Sequence, residues 1–390
     1  MKNKDYFVVL DIGSCKIQSF IGNKNDNDTL NVVSMGFADH AGFSNGEWLE
    51  PENLKKAVSK CIQTMLRSVD NFKIKKIYLG VPGEFCKAVS KEVFEQYKSA
   101  KKITQKDINY LYEKGNNFAG DKNYSCINCS AISYFLDNKV RVVEPVGRIA
   151  TKLSCFVSYM LCEKSFISLF TSIFNDLNIN EVEFISANWA EAVSLFNEGQ
   201  RDKFIILCDV GFLTSSVMLI RGDGLIALRS FSVGGGHIVA DLCVLLNIGY
   251  NDALSLKDRV NLNSEPSAEK FSFSTKNGVT MVGAQEVNDI ACARVEDIAN
   301  MINFSLDDFS YKCPKNTAIY LTGGGIAKIR GIENQLSKYL KRKVETICPS
   351  VLKFEKESMS SIVGLLEVVC KKQTKGASFF QNILDKFRRI

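Results

Sequence analysis

Residues Phe204–Ile220 read FIILCDVGFLTSSVMLI. An apolar run ends in Asp209-Val210-Gly211, a polar turn follows, and a second apolar run closes the stretch. That order is the pattern of a β-hairpin with an acidic side chain at the end of its first strand and a glycine in the bend. The pattern occurs again near the N-terminus, where Phe7–Ile21, FVVLDIGSCKIQSFI, puts Asp11-Ile12-Gly13 after an apolar run. The two stretches stand about half a chain apart and agree in composition and turn placement. One Asp-x-Gly turn says little. Two at this separation predict a duplicated α/β architecture with a ligand held between the halves.

A chain of 390 residues is long for one core and fits two large lobes. Hydrophobic content of 46% and charged content of 24% are those of a globular protein. No apolar run approaches the roughly 18–20 residues of a membrane span, and the N-terminus passes from MKNKDY almost directly into a strand. The expectation is a cytosolic protein without a signal peptide. Thirteen cysteines are scattered over apolar stretches and read as small buried hydrophobes in a reducing compartment. Cys126-Ile-Asn-Cys129 is a lone C-x-x-C, and with two histidines in the whole chain it does not read as a zinc site. The net charge is +6, yet residues 371–390 hold Lys371, Lys372, Lys375, Lys386, Arg388 and Arg389 against Asp385 alone. The body is therefore close to neutral, and nucleic acid is not an expected partner.

Along the chain, strands are expected through residue 36, a helix over 51–70 starting at Pro51, and a buried strand at Lys76–Val81 closed by Pro82-Gly83. Between about Glu84 and Cys155 charge rises, and the segments Ala88–Tyr97, Ile132–Leu136 and Lys139–Val143 alternate like short strands. Thr104 followed by Asp107 resembles a helix N-cap. This region reads as an inserted α+β unit. Strand Phe156–Leu161, helix Lys164–Leu177, strand Glu181–Ile185 and helix Ala190–Asn197 lead to the opening hairpin. Beyond it come strand Leu225–Ser232, the triplet Gly234–Gly236, helices at Ile238–Leu246 and Asp289–Ser305, and strand Ala318–Thr322 running into Gly323-Gly324-Gly325. Helices Ile332–Leu340 and Ser360–Cys370 are expected to complete the second lobe.

Glycine turns at strand ends let backbone N–H groups approach a phosphate closely. Asp11 and Asp209 beside such turns would repel bare phosphate but can hold Mg²⁺ or its waters, and Lys16 can neutralise phosphate charge. Each of these turns read alone is as well explained as a plain connection. It is the set, in order, that carries the information.

In that order the pieces resemble the ATPase superfamily of actin, the heat-shock chaperones and the sugar kinases. Asp11–Lys16 looks like its first phosphate loop, Asp209–Thr214 its second, and Leu321-Thr322-Gly323-Gly324-Gly325-Ile326 its adenosine motif. The resemblance narrows to the FtsA family of bacterial cell-division actins. It is carried by DIGSCKIQSFIG (11–22), KIKKIYLGVPG (73–83), KKITQKDINYL (101–111), VEPVGRIATKLSC (143–155), the hairpin, FSVGGGHIVADL (231–242), LTGGGIAKIRGIE (321–333) and the basic tail.

The resemblance implies an actin-like (ribonuclease H-like, duplicated) two-lobed fold. Its parts would be a lobe 1 core at 1–83 and 156–197 (1A), an inserted α+β 1C subdomain at 84–155, a lobe 2 core at 198–242 and 318–370 (2A), subdomain 2B at 243–317, a linker at 371–378 and an amphipathic membrane-targeting helix at 379–390. It further implies ATP and Mg²⁺ in the cleft. Asp11 and Asp209 would face both nucleotide and metal, and Gly13, Ser14, Cys15, Lys16, Gly211, Phe212, Leu213, Thr214, Gly235, Gly236, Lys257, Gly323, Gly324 and Gly325 the nucleotide. The implied partners are the C-terminal peptide of FtsZ on subdomain 2B near Arg294, further copies of the chain in a filament, other division proteins through 1C, and membrane lipids. The implied place is the cytoplasmic face of the cell membrane at the division site.

The departures are specific. Phe212 and Leu213 stand where the family's second phosphate loop has glycines, Ser216 where it has Asp, and Cys15 where a hydroxyl residue is usual. Residues 184–189, FISANW, lack the Glu that many members use to position the attacking water, and Leu254 stands where a Glu would precede Lys257. The expectation is nucleotide binding with weak hydrolysis and no assigned catalytic residue.

In the tail, Phe379, Phe380, Ile383, Leu384 and Phe387 share one helical face, with Lys386, Arg388 and Arg389 on the other. Such a helix can dock on its own core or lie on a bilayer, and the lysine-rich tether Lys371–Ser378 favours the bilayer. Each large side chain buried there contributes roughly 1.5–3 kcal/mol, and each basic residue near anionic lipid about 1 kcal/mol. A lone helix still binds weakly, so assembly would strengthen it by avidity. Two other readings stand beside the division adaptor: a pilus-assembly relative of similar build, and a small-molecule kinase of the same superfamily.

Overall fold

The computed structural model describes residues 6–25, 29–44, 46–137, 140–263, 269–275, 278–309 and 313–374. The tail helix expected at 379–390, with Phe379, Phe380, Ile383, Leu384, Lys386, Phe387, Arg388 and Arg389, lies outside the described residues.

The first half of the chain runs β1 (Phe7–Ile12), β2 (Lys16–Lys24), β3 (Leu30–Asp39), the two-residue strands β4 (Phe43–Ser44) and β5 (Glu47–Trp48), α1 (Pro51–Leu66), β6 (Lys76–Val81), β7 (Cys86–Lys102), α2 (Gln105–Gly115), β8 (Tyr124–Leu136), β9 (Val140–Val142), β10 (Ile149–Glu163), α3 (Lys164–Asp176), β11 (Glu181–Ser186) and α4 (Ala187–Leu195). The second half runs α5 (Glu198–Arg201), β12 (Ile205–Val210), β13 (Ser215–Arg221), β14 (Gly224–Phe231), α6 (Gly236–Leu246), α7 (Tyr250–Lys257), β15 (Lys270–Thr275), β16 (Gly278–Gly283), α8 (Ala284–Phe309), β17 (Ile319–Thr322), α9 (Ile332–Leu340), β18 (Val344–Thr346) and α10 (Ser360–Thr374).

Two five-stranded sheets repeat one topology. Their orders are β3-β2-β1-β6-β11 and β14-β13-β12-β17-β18. In each, an antiparallel meander is followed by two strands parallel to its first strand. The duplication extends to the register: Asp11 lies opposite Gln18 and Asp209 opposite Ser216. In both bends the glycine N–H closes the turn, Gly13 on the Lys16 carbonyl and Gly211 on the Thr214 carbonyl, each at 2.9 Å. β1 and β12 are central strands, which is why both read as nearly unbroken apolar runs. α1 starts with Pro51 in its first turn and buries Leu54, Ala57, Val58, Cys61, Ile62 and Met65 on one stripe.

The inserted region forms its own sheet, ordered β7-β10-β8-β9, with α2 packed on it around Ile108, Leu111, Leu153, Val157 and Tyr159. Thr104 caps α2 in a full capping box with Asp107. The strands are much longer than the sequence pattern suggests, 17, 13 and 15 residues for β7, β8 and β10. Register shifts at Ala150/Lys152, Phe156/Val157 and Met160/Leu161 break the two-residue alternation while the strand continues. Three of these strands carry a cross-strand row, Ser90–Ser158–Ser130. Ser158 Oγ donates to the Leu225 carbonyl at 2.7 Å and Ser90 Oγ to the Ile226 carbonyl at 3.1 Å. The insert therefore grips β14, the edge strand of the other lobe's sheet.

One expectation is corrected. α10 does not complete the second lobe but packs on α4, β1, β2 and β6 of the first, burying Ile362, Leu365, Leu366 and Val369. Its backbone comes close to α4 at Gly364, where a Cβ would stand 2.7 Å from the Glu191 nitrogen. Helical periodicity marks a buried face but not the sheet that buries it. Residues 371–374, read as the start of a linker, are the last turn of α10, and Lys372 there pairs with Glu183.

Candidate functional site

The two Asp-Gly hairpins face each other across a cavity of about 260 Å³ between the lobes. The turns touch: the Leu213 N–H donates to Ser14 Oγ at 3.1 Å. Of the residues singled out from the sequence, Asp11, Gly13, Ser14, Cys15, Lys16, Asp209, Gly211, Phe212, Thr214, Gly323 and Gly324 line this cavity. Gly323 is there for a geometric reason. Its φ is +93°, and a Cβ would lie 2.2 Å from Asp209 Oδ1 and 2.5 Å from the Val210 carbonyl.

The other glycines stand behind the hairpin instead. The N–H groups of Gly235, Gly236 and Gly325 donate to the carbonyls of Gly211, Phe212 and Val210 at 2.9, 2.6 and 2.7 Å. They are consumed in holding the turn, so they have no N–H left for a phosphate. A Cβ on Gly235 would sit 2.1 Å from the Gly325 oxygen, which explains why small residues recur there. The Phe212 ring fills the space beside Gly236 at the start of α6. Leu213 packs against a hydrophobic cluster that both lobes build and is not among the cavity-lining residues. Lys257 is buried on α7, away from the cavity wall, and burial lowers its pKa. The Lys16 amine lies over the Phe37 ring at 4.8 Å. Arg294 forms a bidentate pair with Asp241, at 2.7 and 2.8 Å, and reaches Asp297 at 3.1 Å.

The cleft is strongly acidic. Asp11 Oδ1 accepts from Ser361 Oγ at 2.8 Å, and burial pushes its carboxyl up to about 6. Burial, then the charges of Asp11 and Glu84, push Asp209 up to about 7. Burial, then the Asp39 charge, raise the Cys15 thiol to about 11.

Two acidic residues were not legible from the sequence. Glu84 sits in the turn after β6, its carboxyl hydrogen-bonded to Thr214 of the opposite hairpin, and burial raises its pKa. Glu191, on α4, lines the cavity with 1% of its surface exposed, and burial with the Asp209 and Asp11 charges raises it far above the usual carboxylate range. The sequence signal was present. Extending helix 190–197 back to Ala187 puts Asn188 and Glu191 on one face.

Several buried polar atoms here have no hydrogen-bond partner among the described residues: Gln18 Oε1, Trp48 Nε1, Asn188 Oδ1 and Glu191 Oε2, all of cavity-lining side chains. Such groups cost about 1–3 kcal/mol each when left unmade, so the cavity is built to hold something polar. No three His, Cys, Asp or Glu side chains among the described residues converge closely enough to hold a metal ion by themselves.

No protein-family model matches the chain. The protein named Cell division protein FtsA from Neisseria meningitidis serogroup B is 21% identical over 379 residues, which is 94% of this chain and 90% of that one. The one of the same name from Bacillus subtilis (strain 168) is 19% identical over 381 residues, 95% of this chain and 85% of the relative. Among solved structures, the PilM-PilN type IV pilus biogenesis complex aligns with TM-score 0.61 at 13% identity, over 93% of this chain and 98% of that chain. MreB5 of Spiroplasma citri bound to AMPPNP aligns with TM-score 0.56 at 12% identity, over 97% and 100%. The fold is actin-like and two-lobed.

Proposed function

We propose, on the premise that this chain is a relative of the cell-division protein FtsA, that it is an actin-like cell-division adaptor. It binds ATP with Mg²⁺ in the cleft, assembles into a homopolymer on the cytoplasmic face of the cell membrane, and tethers the FtsZ ring at the division site. The observation that carries the nucleotide reading is the pair of register-matched Asp-Gly hairpins facing one cavity.

The residues fit the group. Two acidic strand ends suit a cation that keeps its own waters and takes its remaining ligands from phosphate. Mg²⁺ would screen Asp11, Asp209 and Glu84 from the phosphates and let their carboxyls ionise. The first turn would contribute Ser14, Cys15 and Lys16 to the phosphates, the second Phe212 and Thr214, with Gly323 and Gly324 beside the nucleoside. Phe212 and Leu213 keep the backbone N–H groups that glycines would have there, but the Phe212 side chain takes up room at the cavity and the Leu213 N–H is already donated to Ser14, so the phosphate cradle is less open. Turnover is therefore slow, and bound nucleotide chiefly fixes the lobes for assembly.

The insert 84–155 takes the role of subdomain 1C and meets other division proteins. Residues 243–317 take that of 2B, where the FtsZ C-terminal peptide docks near Arg294. The terminal helix 379–390 binds lipid; no helix among the described residues is long and apolar enough to cross a membrane.

Titration calorimetry with ATP, with and without Mg²⁺, tests the cleft. Absence of Mg²⁺-dependent binding at high nucleotide concentration overturns it. Vesicle pelleting tests the adaptor: removing residues 379–390 is expected to abolish binding to anionic vesicles. Unimpaired pelleting would favour the second reading, a pilus-assembly adaptor, which the likeness to the PilM-PilN complex keeps in view.

A further inference from the structure

With nucleotide in the cleft as the premise, we infer that His40 is the residue that positions the first Asp-Gly turn for a phosphate chain. His40 follows directly on β3. Its backbone N–H donates to the Cys15 carbonyl at 3.0 Å, one step past the Lys16–Asp39 pair of the β2–β3 ladder, so the residue is pinned beside the turn. From there its Nε2 lies 2.7 Å from the Gly13 carbonyl. A carbonyl only accepts, so Nε2 carries the proton and Nδ1 is left as an acceptor. That Nδ1 is buried and has no hydrogen-bond partner among the described residues. The ring therefore gives its one donor to the turn and gains nothing at its other nitrogen. Gly13, Ser14, Cys15 and Lys16 line the cavity and His40 does not, which places the ring behind the turn.

The second lobe holds the equivalent carbonyl by other means. Gly211 stands where Gly13 does in the duplicated register. Its carbonyl is taken by the Gly235 N–H at 2.9 Å. Gly235 lies shortly beyond β14, the third strand of its sheet, as His40 lies just beyond β3. In both hairpins, then, the glycine carbonyl is held by the segment that leaves the third strand. In the second lobe the donor is backbone; in the first it is a side chain, so a single substitution can remove it. The consequence for a ligand follows from peptide geometry. A trans peptide is planar, with its C=O and N–H pointing in opposite directions. Drawing the Gly13 carbonyl back onto His40 turns the Ser14 N–H forward, to the cavity side, where it can meet a phosphate oxygen. His40 touches no ligand itself and acts through the turn.

The test uses the full chain, with calorimetric affinity for Mg²⁺–ATP and thermal midpoint measured on each variant. His40→Phe keeps the bulk of the ring and removes the donor. His40→Gln gives up the ring and keeps a donor at a similar reach. His40→Phe is expected to weaken Mg²⁺–ATP at least about fivefold, the scale of one lost hydrogen bond, and His40→Gln to stay within about twofold of the parent chain. A packing role would reverse that order, with phenylalanine the milder change in both midpoint and affinity. His40→Leu carries the comparison with His40→Gln if the phenylalanine variant does not fold. Unchanged affinity in His40→Phe overturns the inference, as do equal losses in the phenylalanine and glutamine variants, and in both cases nucleotide binding by the parent chain stands. A parent chain that binds no nucleotide overturns the inference together with its premise.

Discussion

Ser361 Oγ donates a 2.8 Å hydrogen bond to Asp11 Oδ1, joining α10 to the first Asp-Gly hairpin across 350 positions of sequence. The bond places an acidic cleft residue under the control of the helix that leads to the C-terminal tail. Ser361→Ala removes it and leaves Asp11 more poorly solvated. We expect about 1 kcal/mol of stability to be lost and Mg²⁺–nucleotide affinity to fall. Thermal unfolding and calorimetry check this, and unchanged values in both would refute the coupling.

Stability of the ligand-free protein should fall as pH rises toward neutrality. Asp11 and Asp209 are pushed up from 3.8 to about 6 and about 7 in the folded chain, mainly by burial. Between the unfolded and folded values the folded state binds more protons, so the stabilisation is complete below about pH 4 and lost by about pH 7. The difference between about pH 5 and about pH 8 is on the order of a few kcal/mol. Glu183 does not blur the window, because its pKa is lowered and its contribution is lost only as pH falls below 4.5. Scanning fluorimetry should show the slope, and Asp11→Asn with Asp209→Asn should reduce it, leaving the remainder that Glu84 and Glu191, also raised by burial, contribute. A flat profile in the parent chain would disprove the assignment.

Glu183, on β11, is buried between Lys76 and Lys372. Lys372→Ala leaves Lys76 at 2.8 Å and should be mild. The double variant Lys76→Ala, Lys372→Ala strands the carboxylate and should cost about 3–5 kcal/mol. A denaturant melt of the single and double variants measures the difference, and additive small losses would argue against a buried charge triad.

Gly364→Ala should unfold or severely destabilise the chain, because backbone atoms of Ala190 and Glu191 stand 2.7–2.8 Å from the new Cβ. Gly120→Ala is the control, with nothing within 4 Å of its Cβ. Comparable soluble yield and midpoint for the two would show that α4 and α10 are not in backbone contact.

The hairpins were the most legible part of the sequence because Asp, Gly and two apolar runs fix a local geometry that needs no distant partner. Asp11 and Asp209 could be placed by that alone. Gly235, Gly236 and Gly325 were singled out for the nucleotide because sequence shows that a side chain is excluded without showing what excludes it; here neighbouring backbone stands against Gly235 and Gly325, and backbone with the Phe212 ring against Gly236. Glu191 escaped because an isolated acidic residue in an alanine-rich helix looks solvated until the helix is seen buried under α10. α10 itself has an apolar face that fits either sheet, and only the close approach at Gly364 decides between them.

The serine row of the insert has a mechanical consequence. The insert grows out of the first lobe and holds the edge strand of the second through Ser90 and Ser158, so the lobes are tied there as well as at the Leu213–Ser14 contact between the hairpins. Spreading them like a clam would tear those bonds; a twist about an axis through the row would not. Beyond Ser90 the insert's longest strand runs on to Lys102, an arm of roughly 40 Å at the rise of an extended chain. A few degrees of twist at the cleft thus become several ångströms of travel at the far end of the arm.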